Sequence, residues 1–352
     1  MTLVARPWTA WLACARQPWC RVCTVLASLL LGGCGPALEE LSGPTMGSTY
    51  SIKYVPAQAS ADRAGIQAGV LAILAEVDQQ LSTYRADSLV SRFNALPSGS
   101  CMAMPEAVLS LVKAGEQLSH ESEGAFDLTI EPLINLWGFG PQSRGEQVPS
   151  AEQIAAARTQ MGHQYLQVDG RQLCKQRALQ LDFNSIGAGY AVDRVAALLE
   201  QQGITSYLVD ITGELRAHGR KPDGSFWQIG IEEPQPGQPV AARVLALDDL
   251  AVSTSGDYRN YFEQDGQRYS HSIDARSGAP ISHRLASVSV VDPSAMRADG
   301  LSTVLLLLGP EQGFEFAQQR DIAALFISRT DKGFVSRGTR AFDSRFAKGA
   351  GR

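Results

Sequence analysis

The chain has 352 residues, 44% of them hydrophobic, with 31 Lys and Arg against 36 Asp and Glu, a formal charge of −5. Both signs are scattered, and no basic stripe is interleaved with aromatics, which argues against nucleic-acid binding. Of the six cysteines, Cys14, Cys20, Cys23 and Cys34 fall at the N-terminus, leaving Cys101 and Cys174. That excludes a disulfide scaffold and a cysteine zinc site but allows one optional bridge.

Arg6, Arg16 and Arg21 precede an apolar run from Val22 to Leu31, which Gly32, Gly33 and Cys34 close. The order predicts a cleaved lipoprotein signal over residues 1–33 with lipidation at Cys34, because the run is too short to span a bilayer and small residues end it. The expected location is the bacterial cell envelope, lipid-anchored in the outer or inner membrane and facing the periplasm. Gly35 in place of Asp after the cysteine points towards outer-membrane retention. Residues 34–43 then read as an anchored linker, 44–340 as one folded unit without repeat or composition break, and 341–352 as a loose basic tail.

Within that unit, Ser48 to Val55 alternates and predicts a strand. Arg63 to Leu81 carries Ile66, Val70, Ile73, Leu74 and Val77 at helical spacing. Pro105 to His120 predicts a helix with Pro105 in its first turn, and Ser150 caps a third helix running to Met161. Tyr165–Val168 and Ala178–Asp182 predict a strand pair around the Asp169-Gly170 turn. Gly189 to Gln202 reads as a helix ended by Gly203, followed by a buried strand at Tyr207–Ile211. Phe226–Ile231 and Val240–Leu247 predict strands joined by the Pro-rich stretch from Glu233 to Pro239. Ala286–Val291 is an apolar strand, Leu301–Leu308 and Glu311–Gln319 are helical, and Ala323–Ser328 is a strand. The pattern is α+β, with mixed sheets and packed helices.

Three segments carry chemistry. Asp299 and Thr303 lie four apart, which on a helix puts both on one face. An acid plus a hydroxyl suits a hard cation such as Mg²⁺, and the competing reading is a first-turn acid that compensates the helix dipole. Asp182 to Gly189 passes from strand to helix through a glycine-containing turn, which presents backbone amides to an anion, without the spacing of a dinucleotide fingerprint. His271, one of five histidines, sits in Tyr269-Ser270-His271-Ser272-Ile273-Asp274-Ala275-Arg276. Ser253 to Asp257 reads as a polar loop. Gly124-Ala125-Phe126-Asp127 reads as a turn leading into a strand. Trp137 and Phe139 are expected to serve packing.

Taken together and in order, these pieces resemble the ApbE-type FAD:protein FMN transferases. The resemblance rests on Thr45 to Thr49, Leu81 to Arg85 with Ser91 to Asn94, Gly124 to Thr129, Leu136 to Phe139, Leu181 to Asp193, Gly213-Glu214, Ser253 to Tyr258, Tyr269 to Gly278 and Ala298 to Thr303. It implies one compact T-fold-like domain that takes FAD as substrate with Mg²⁺ as cofactor. FMN would pass through a phosphoester to a Thr of a partner protein, with release of AMP. The implied acceptors are membrane redox subunits of quinone-reductase or Rnf type, or a nitrous-oxide-reductase maturation partner. The implied site residues are His271 for proton transfer, and Asp299, Thr303 and the Ser185 carbonyl for the metal. Those implied for FAD are Met46, Tyr84, Ala125, Phe126, Asp127, Asp182, Ala188 and Ile273. Two departures stand out: most members have Lys where this chain has Ala188, and Ala275 and Ser277 replace the usual Pro and Thr. Two alternatives remain: an FAD pyrophosphatase that uses water and yields FMN and AMP, and a flavin-binding lipoprotein without catalysis. The missing lysine favours reduced activity, whereas retention of His271, Asp299 and Thr303 favours catalysis.

Overall fold

A computed structural model describes residues 38–57, 62–143, 145–235 and 240–346. The signal segment and Cys34 lie outside the described residues. The principal sheet has eight strands, numbered here in chain order: β1 (Glu39–Thr45), β2 (Ser48–Tyr54), β3 (Tyr207–Ile211), β4 (Glu214–His218), β5 (Leu250–Gly256), β6 (Leu285–Asp292), β7 (Ala323–Thr330) and β8 (Gly333–Gly338). Each strand pairs antiparallel with the next, so spatial order equals chain order. The smaller sheets are hairpins and one three-stranded piece, also antiparallel. The sheets are therefore antiparallel where mixed pairing was expected. β1 begins at Glu39, inside the stretch read as linker.

The helices are α1 (Arg63–Leu81), α2 (Leu89–Asn94), α3 (Glu106–Glu121), α4 (Glu131–Leu136), α5 (Ala151–Arg158), α6 (Gly187–Gln201), α7 (Ala295–Gln319) and α8 (Arg340–Phe346). α1 buries Ile66, Val70, Leu74, Val77 and Leu81, a single stripe at three- and four-residue steps. Asp62 caps it by accepting from the Gly65 N–H at 2.9 Å. Ser150 and Gln153 close a reciprocal capping box at the start of α5. The two helices expected beyond Leu301 are both present within α7, which starts earlier, at Ala295. They meet at a kink where Gly309 (φ +83°) leaves the helical region before Pro310, a residue that cannot donate to the preceding turn.

Strands β6 and β7 are buried on both faces. Alternation sends Val288, Val290, Ala324 and Phe326 into the core shared with α1, α6 and α7, and Val291, Ala323, Leu325 and Ile327 into a second core. That second core is roofed by the hairpin Trp227–Glu232/Ala241–Leu247 and by α8. Phe342 of α8 is 1% exposed, so the first part of the expected loose tail is a packed helix. A third cluster, including Leu133, Trp137, Phe262 and Ile273, lies under the loop insertions. There Trp137 Nε1 donates to the Gly278 carbonyl at 2.8 Å.

Two local readings change. The strand that pairs with Leu166–Asp169 is Gln172–Lys175, across a turn with Gly170 at φ +56°. Cys101–Ala103 adds on the far side of Gln172–Lys175, and facing Cys101 and Cys174 form a disulfide. Ala178–Asp182 is not a strand, because its backbone groups find other partners. Asn94 brackets Leu181, with Nδ2 donating to its carbonyl at 2.9 Å and Oδ1 accepting its N–H at 2.7 Å. The Asp182 N–H goes to the Leu128 carbonyl. The turn at Gly124–Asp127 leads to α4 and not to a strand. There Asp127 Oδ1 accepts both the N–H and hydroxyl of Thr129 at 2.8 Å, a local bond that competes with a sheet ladder.

The crossing of α6 over the start of α7 depends on Gly189. A Cβ there would lie 2.4 Å from the Ala295 carbonyl oxygen and 2.8 Å from Met296 Cα, both backbone atoms that cannot swing away. We expect Gly189→Ala to force the helices apart and to cost about 1–3 kcal/mol, the range for overpacking a tight interior. Urea unfolding followed by circular dichroism measures this, and a stability equal to wild type would show that the two helices are not rigidly apposed.

Candidate active site

Helix α7 starts at the N-cap Ser294, and its free amides are met from outside the helix. Asp193 of α6 accepts from the Ser294 hydroxyl (2.7 Å), the Ala295 N–H (2.9 Å) and the Met296 N–H (3.1 Å). The dipole-compensating role considered for Asp299 thus belongs to Asp193. Asp299 lies a turn further on and is 5% exposed. Its Oδ2 accepts the Gly189 N–H at 3.0 Å. Thr303, one turn beyond, has its hydroxyl 3.1 Å from that of Ser255, which lies 2.7 Å from Ser302 Oγ. Ser253–Gly256 is therefore not a loop but the end of β5, running beneath α7 and matching its hydroxyls.

Asp299, Thr303 and Ser185 line one cavity of ≈ 800 Å³ together with Glu214 and Asp210. Burial, then the Glu214 carboxylate, pushes the Asp299 pKa well above the ordinary range. Burial also raises Glu214 and Asp210. No basic side chain pairs with Asp299 among the described residues. Oxygen donors and converging acids, with the lining guanidinium of Arg259 already engaged by Glu232 at 2.6 Å, make a set that fits Mg²⁺. Sequence spacing alone left Asp299 without a neighbouring acid. The sheet supplies one, because Glu214 opens β4 and comes from far along the chain.

His271 enters the same cavity from the insertion between β5 and β6. It follows the hairpin Tyr261–Gln264/Gln267–Ser270 and precedes Ile273–Asp274, which pairs with Ala279–Pro280. Its N–H donates to the Asn260 carbonyl at 3.1 Å, and Nδ1 lies 3.0 Å from the same oxygen. A carbonyl only accepts, so Nδ1 carries the proton and Nε2 keeps its lone pair. Desolvation lowers the His271 pKa, partly opposed by the Asn260 contact, which favours the neutral ring. The loop is held by Asp274, which binds the Arg276 guanidinium at 2.7 Å and its N–H at 2.9 Å, and by Ser277 Oγ on the Asp274 carbonyl. The Ala275 N–H donates to the Ala125 carbonyl, tying the His271 loop to the Ala125–Asp127 wall despite the Ala275 and Ser277 replacements.

Ala125, Phe126, Asp127, Asp182 and Ile273 line the cavity, with Phe139 beside His271. Tyr84 is 65% exposed and is not a core residue. Its hydroxyl donates to the Phe139 carbonyl at 3.3 Å. Met46 and Ala188 are not in this cavity but in a second one of ≈ 860 Å³. Tyr84, Asn184 and Thr212 border both. Met46 has a left-handed φ of +46° at the β1–β2 turn. Ala188 is 9% exposed, so the second cavity lacks a cation at that point.

Glu131, Asn260 and Glu214 were not singled out as site residues from the sequence. Glu131 stands behind Asp182. Burial, followed by the Asp182 charge, pushes its carboxyl up to about 9. Asp182 is raised as well, by burial. Glu131 Oε1 accepts from Asn135 at 3.0 Å, while Oε2 is buried without a hydrogen-bond partner. A protonated Glu131 beside Asp182 is the neutral state that this arrangement favours. The sequence reading placed no helix at Glu131–Leu136, so neither α4 nor the approach of Glu131 to Asp182 was anticipated.

A family model described as the ApbE family matches residues 46–326. An FAD:protein FMN transferase from Vibrio cholerae is 45% identical over 327 residues, covering 92% of this chain and 98% of that protein. One from Escherichia coli K12 is 37% identical over 331 residues, covering 89% of this chain and 93% of that one. The crystal structure of the Pseudomonas stutzeri flavinyl transferase ApbE, in its apo form, matches with a TM-score of 0.84 at 59% identity, covering 89% of this chain and 98% of that chain. With the match running across the sheet, the α6–α7 crossing and the His271 loop, the chain belongs to the ApbE family.

Proposed function

We propose that this protein is an FAD:protein FMN transferase that esterifies a threonine of a partner redox protein with FMN and releases AMP. The observation that carries the reading is one cleft holding both a neutral imidazole with Nε2 free and a buried all-oxygen cluster at Asp299. The joined second cavity adds the length a dinucleotide needs. Ala125, Phe126, Asp127, Asp182 and Ile273 would hold one part of FAD, and Met46 and Ala188 the other, with Tyr84 between them. The acceptor hydroxyl gives its proton to His271 Nε2 as its oxygen bonds to the FMN phosphorus. The bond from that phosphorus to the oxygen of the AMP phosphate breaks, and AMP leaves with the electron pair. Asp299, Thr303 and the Ser185 carbonyl would hold Mg²⁺. The ion, when bound, neutralises charge on the pyrophosphate. The flavin ring takes no part in bond changes. Acceptors of Rnf, quinone-reductase or nitrous-oxide-reductase maturation type fit this chemistry, and the genes beside this one would discriminate among them.

Lipidation at Cys34 would hold the enzyme in the envelope, facing the periplasm. Mass spectrometry of the mature N-terminus is expected to find a diacylglyceryl cysteine there, and an unmodified chain beginning at Met1 would overturn the anchor.

The metal and base roles separate by titration. Asp299→Ala should abolish Mg²⁺-dependent AMP release while leaving the protein folded, since few protein ligands hold this ion. His271→Ala should retain FAD binding and lose about a hundredfold to ten-thousandfold in rate, the usual share of general acid–base catalysis. AMP release measured across a Mg²⁺ series decides. Rescue of His271→Ala by excess Mg²⁺ would reverse the assignment, and wild-type turnover in both variants would place the chemistry elsewhere.

Glu131 makes a pH prediction. Its folded pKa of about 9 lies above its ordinary value of 4.5. Its contribution to stability is therefore complete below pH 4.5 and declines as pH rises towards 9, where the folded carboxyl ionises. Glu131→Gln mimics the protonated form and should flatten the fall in Tm between pH 5 and 8.5. Parallel slopes for variant and wild type would show that Glu131 is ionised in the folded protein.

A further inference from the structure

We propose a second metal site, separate from the cleft, formed by Glu116, His120 and His163 and suited to Zn²⁺. Glu116 and His120 are one turn apart on α3 and share a face. His163 opens the short turn His163–Tyr165, which follows Gly162 at φ +125°. One ligand atom from each of the three side chains lies within 4.8 Å of the others. The two imidazole rings stand edge to face with centroids 4.7 Å apart. His163 Nδ1 is buried and makes no hydrogen bond, an unfavourable state for a buried polar atom. None of the three lines the cleft.

The donor set decides the ion. Two imidazoles and a carboxylate suit Zn²⁺ and leave a fourth tetrahedral position open, whereas Mg²⁺ takes oxygen ligands. Tetrahedral bonds of about 2.1 Å place ligand atoms about 3.4 Å apart. The present spacing therefore closes by an ångström or so, within reach of His120, which is exposed, and Glu116, which is half-buried.

The position gives the ion a task. Helix α3 runs directly into the Ala125–Asp127 wall. The Gly124 N–H donates to the Ser119 carbonyl and the Phe126 N–H to Ser122 Oγ. On the other side, the His163 N–H donates to Asp127 Oδ2 at 3.1 Å, and the Gly162 N–H to Thr129 Oγ1 at 2.7 Å. A metal joining α3 to His163 thus clasps the wall from both ends. The inference does not depend on the flavin-transfer reading.

The test uses the untagged full chain, stripped with chelator and dialysed against Zn²⁺ in excess Mg²⁺ to mask the oxygen site. Wild type should retain one more equivalent of zinc than His120→Gln, His163→Gln or Glu116→Gln. Co²⁺ should give a visible ligand-field band that is lost in the histidine variants. Zinc should also raise the wild-type Tm, since binding to the folded state alone stabilises it, and leave the Tm of His120→Gln unmoved. His120 is exposed, so its variant keeps the test open should His163→Gln unfold. Equal zinc retention by wild type and folded His120→Gln would overturn the site.

Discussion

Asp193 fixes where helix α7 begins, and most of the cleft follows from that. The buried start of a helix leaves amide donors that must be satisfied. One carboxylate on α6 takes two of them together with the Ser294 hydroxyl. Asp193 also receives Arg216 of β4 at 3.1 Å, which joins both helices to the sheet. Arg216 and Glu214 are two apart on the same strand and share a face. The ion pair that anchors α6 to β4 therefore sets Glu214 towards Asp299. Gly189, four residues before Asp193, sits one turn away on α6. Its missing side chain lets α7 come close enough for the Gly189 N–H to reach Asp299. Cap, crossing and acid pair are one construction.

Much of this could be read from the sequence where the signal is local. α1 was legible to its ends, because a single apolar stripe starts after Asp62 and stops at Leu81. The Ser150 cap, the Trp227–Leu247 hairpin, and the strands at Ser48, Tyr207, Leu285 and Ala323 were legible for similar reasons. The failures are non-local. Ala178–Asp182 alternates like a strand, yet an asparagine 87 residues away takes the backbone groups of Leu181. Ser253–Gly256 looks like a loop because its hydroxyls suggest solvent. They are paired instead, Thr254 with Ser289 across the sheet and Ser255 with Ser302 and Thr303 on α7. At the site, Asp299, Thr303 and His271 were found by residue type and motif. Glu214, Glu131 and Asp193 act through partners that only the tertiary fold supplies, so no spacing rule could assign them.

The electrostatics of the cleft then constrain what can bind there. Asp182, Asp210, Glu214 and Asp299 line one cavity, and burial raises the pKa of each. Arg259 is the guanidinium among the lining residues, and it is already engaged by Glu232 at 2.6 Å. Ala188 puts a methyl group in the adjoining cavity where a lysine would add charge. A pyrophosphate brought into these surroundings is repelled unless a cation lies between it and the acids or the acids are protonated. Protonation suits Glu131 and Asp182, both pushed up by burial and close enough to share a proton. Asp299 is pushed up by burial and by Glu214 despite the Gly189 N–H that favours its charged form, so a cation beside it is what would keep it ionised. A proton-sharing pair at Glu131 and Asp182 and an acid pair at Asp299 and Glu214 that a cation would relieve thus serve one cavity, which His271 also lines. The His271 Nδ1 is committed to the Asn260 carbonyl, so the imidazole exchanges protons through Nε2 only.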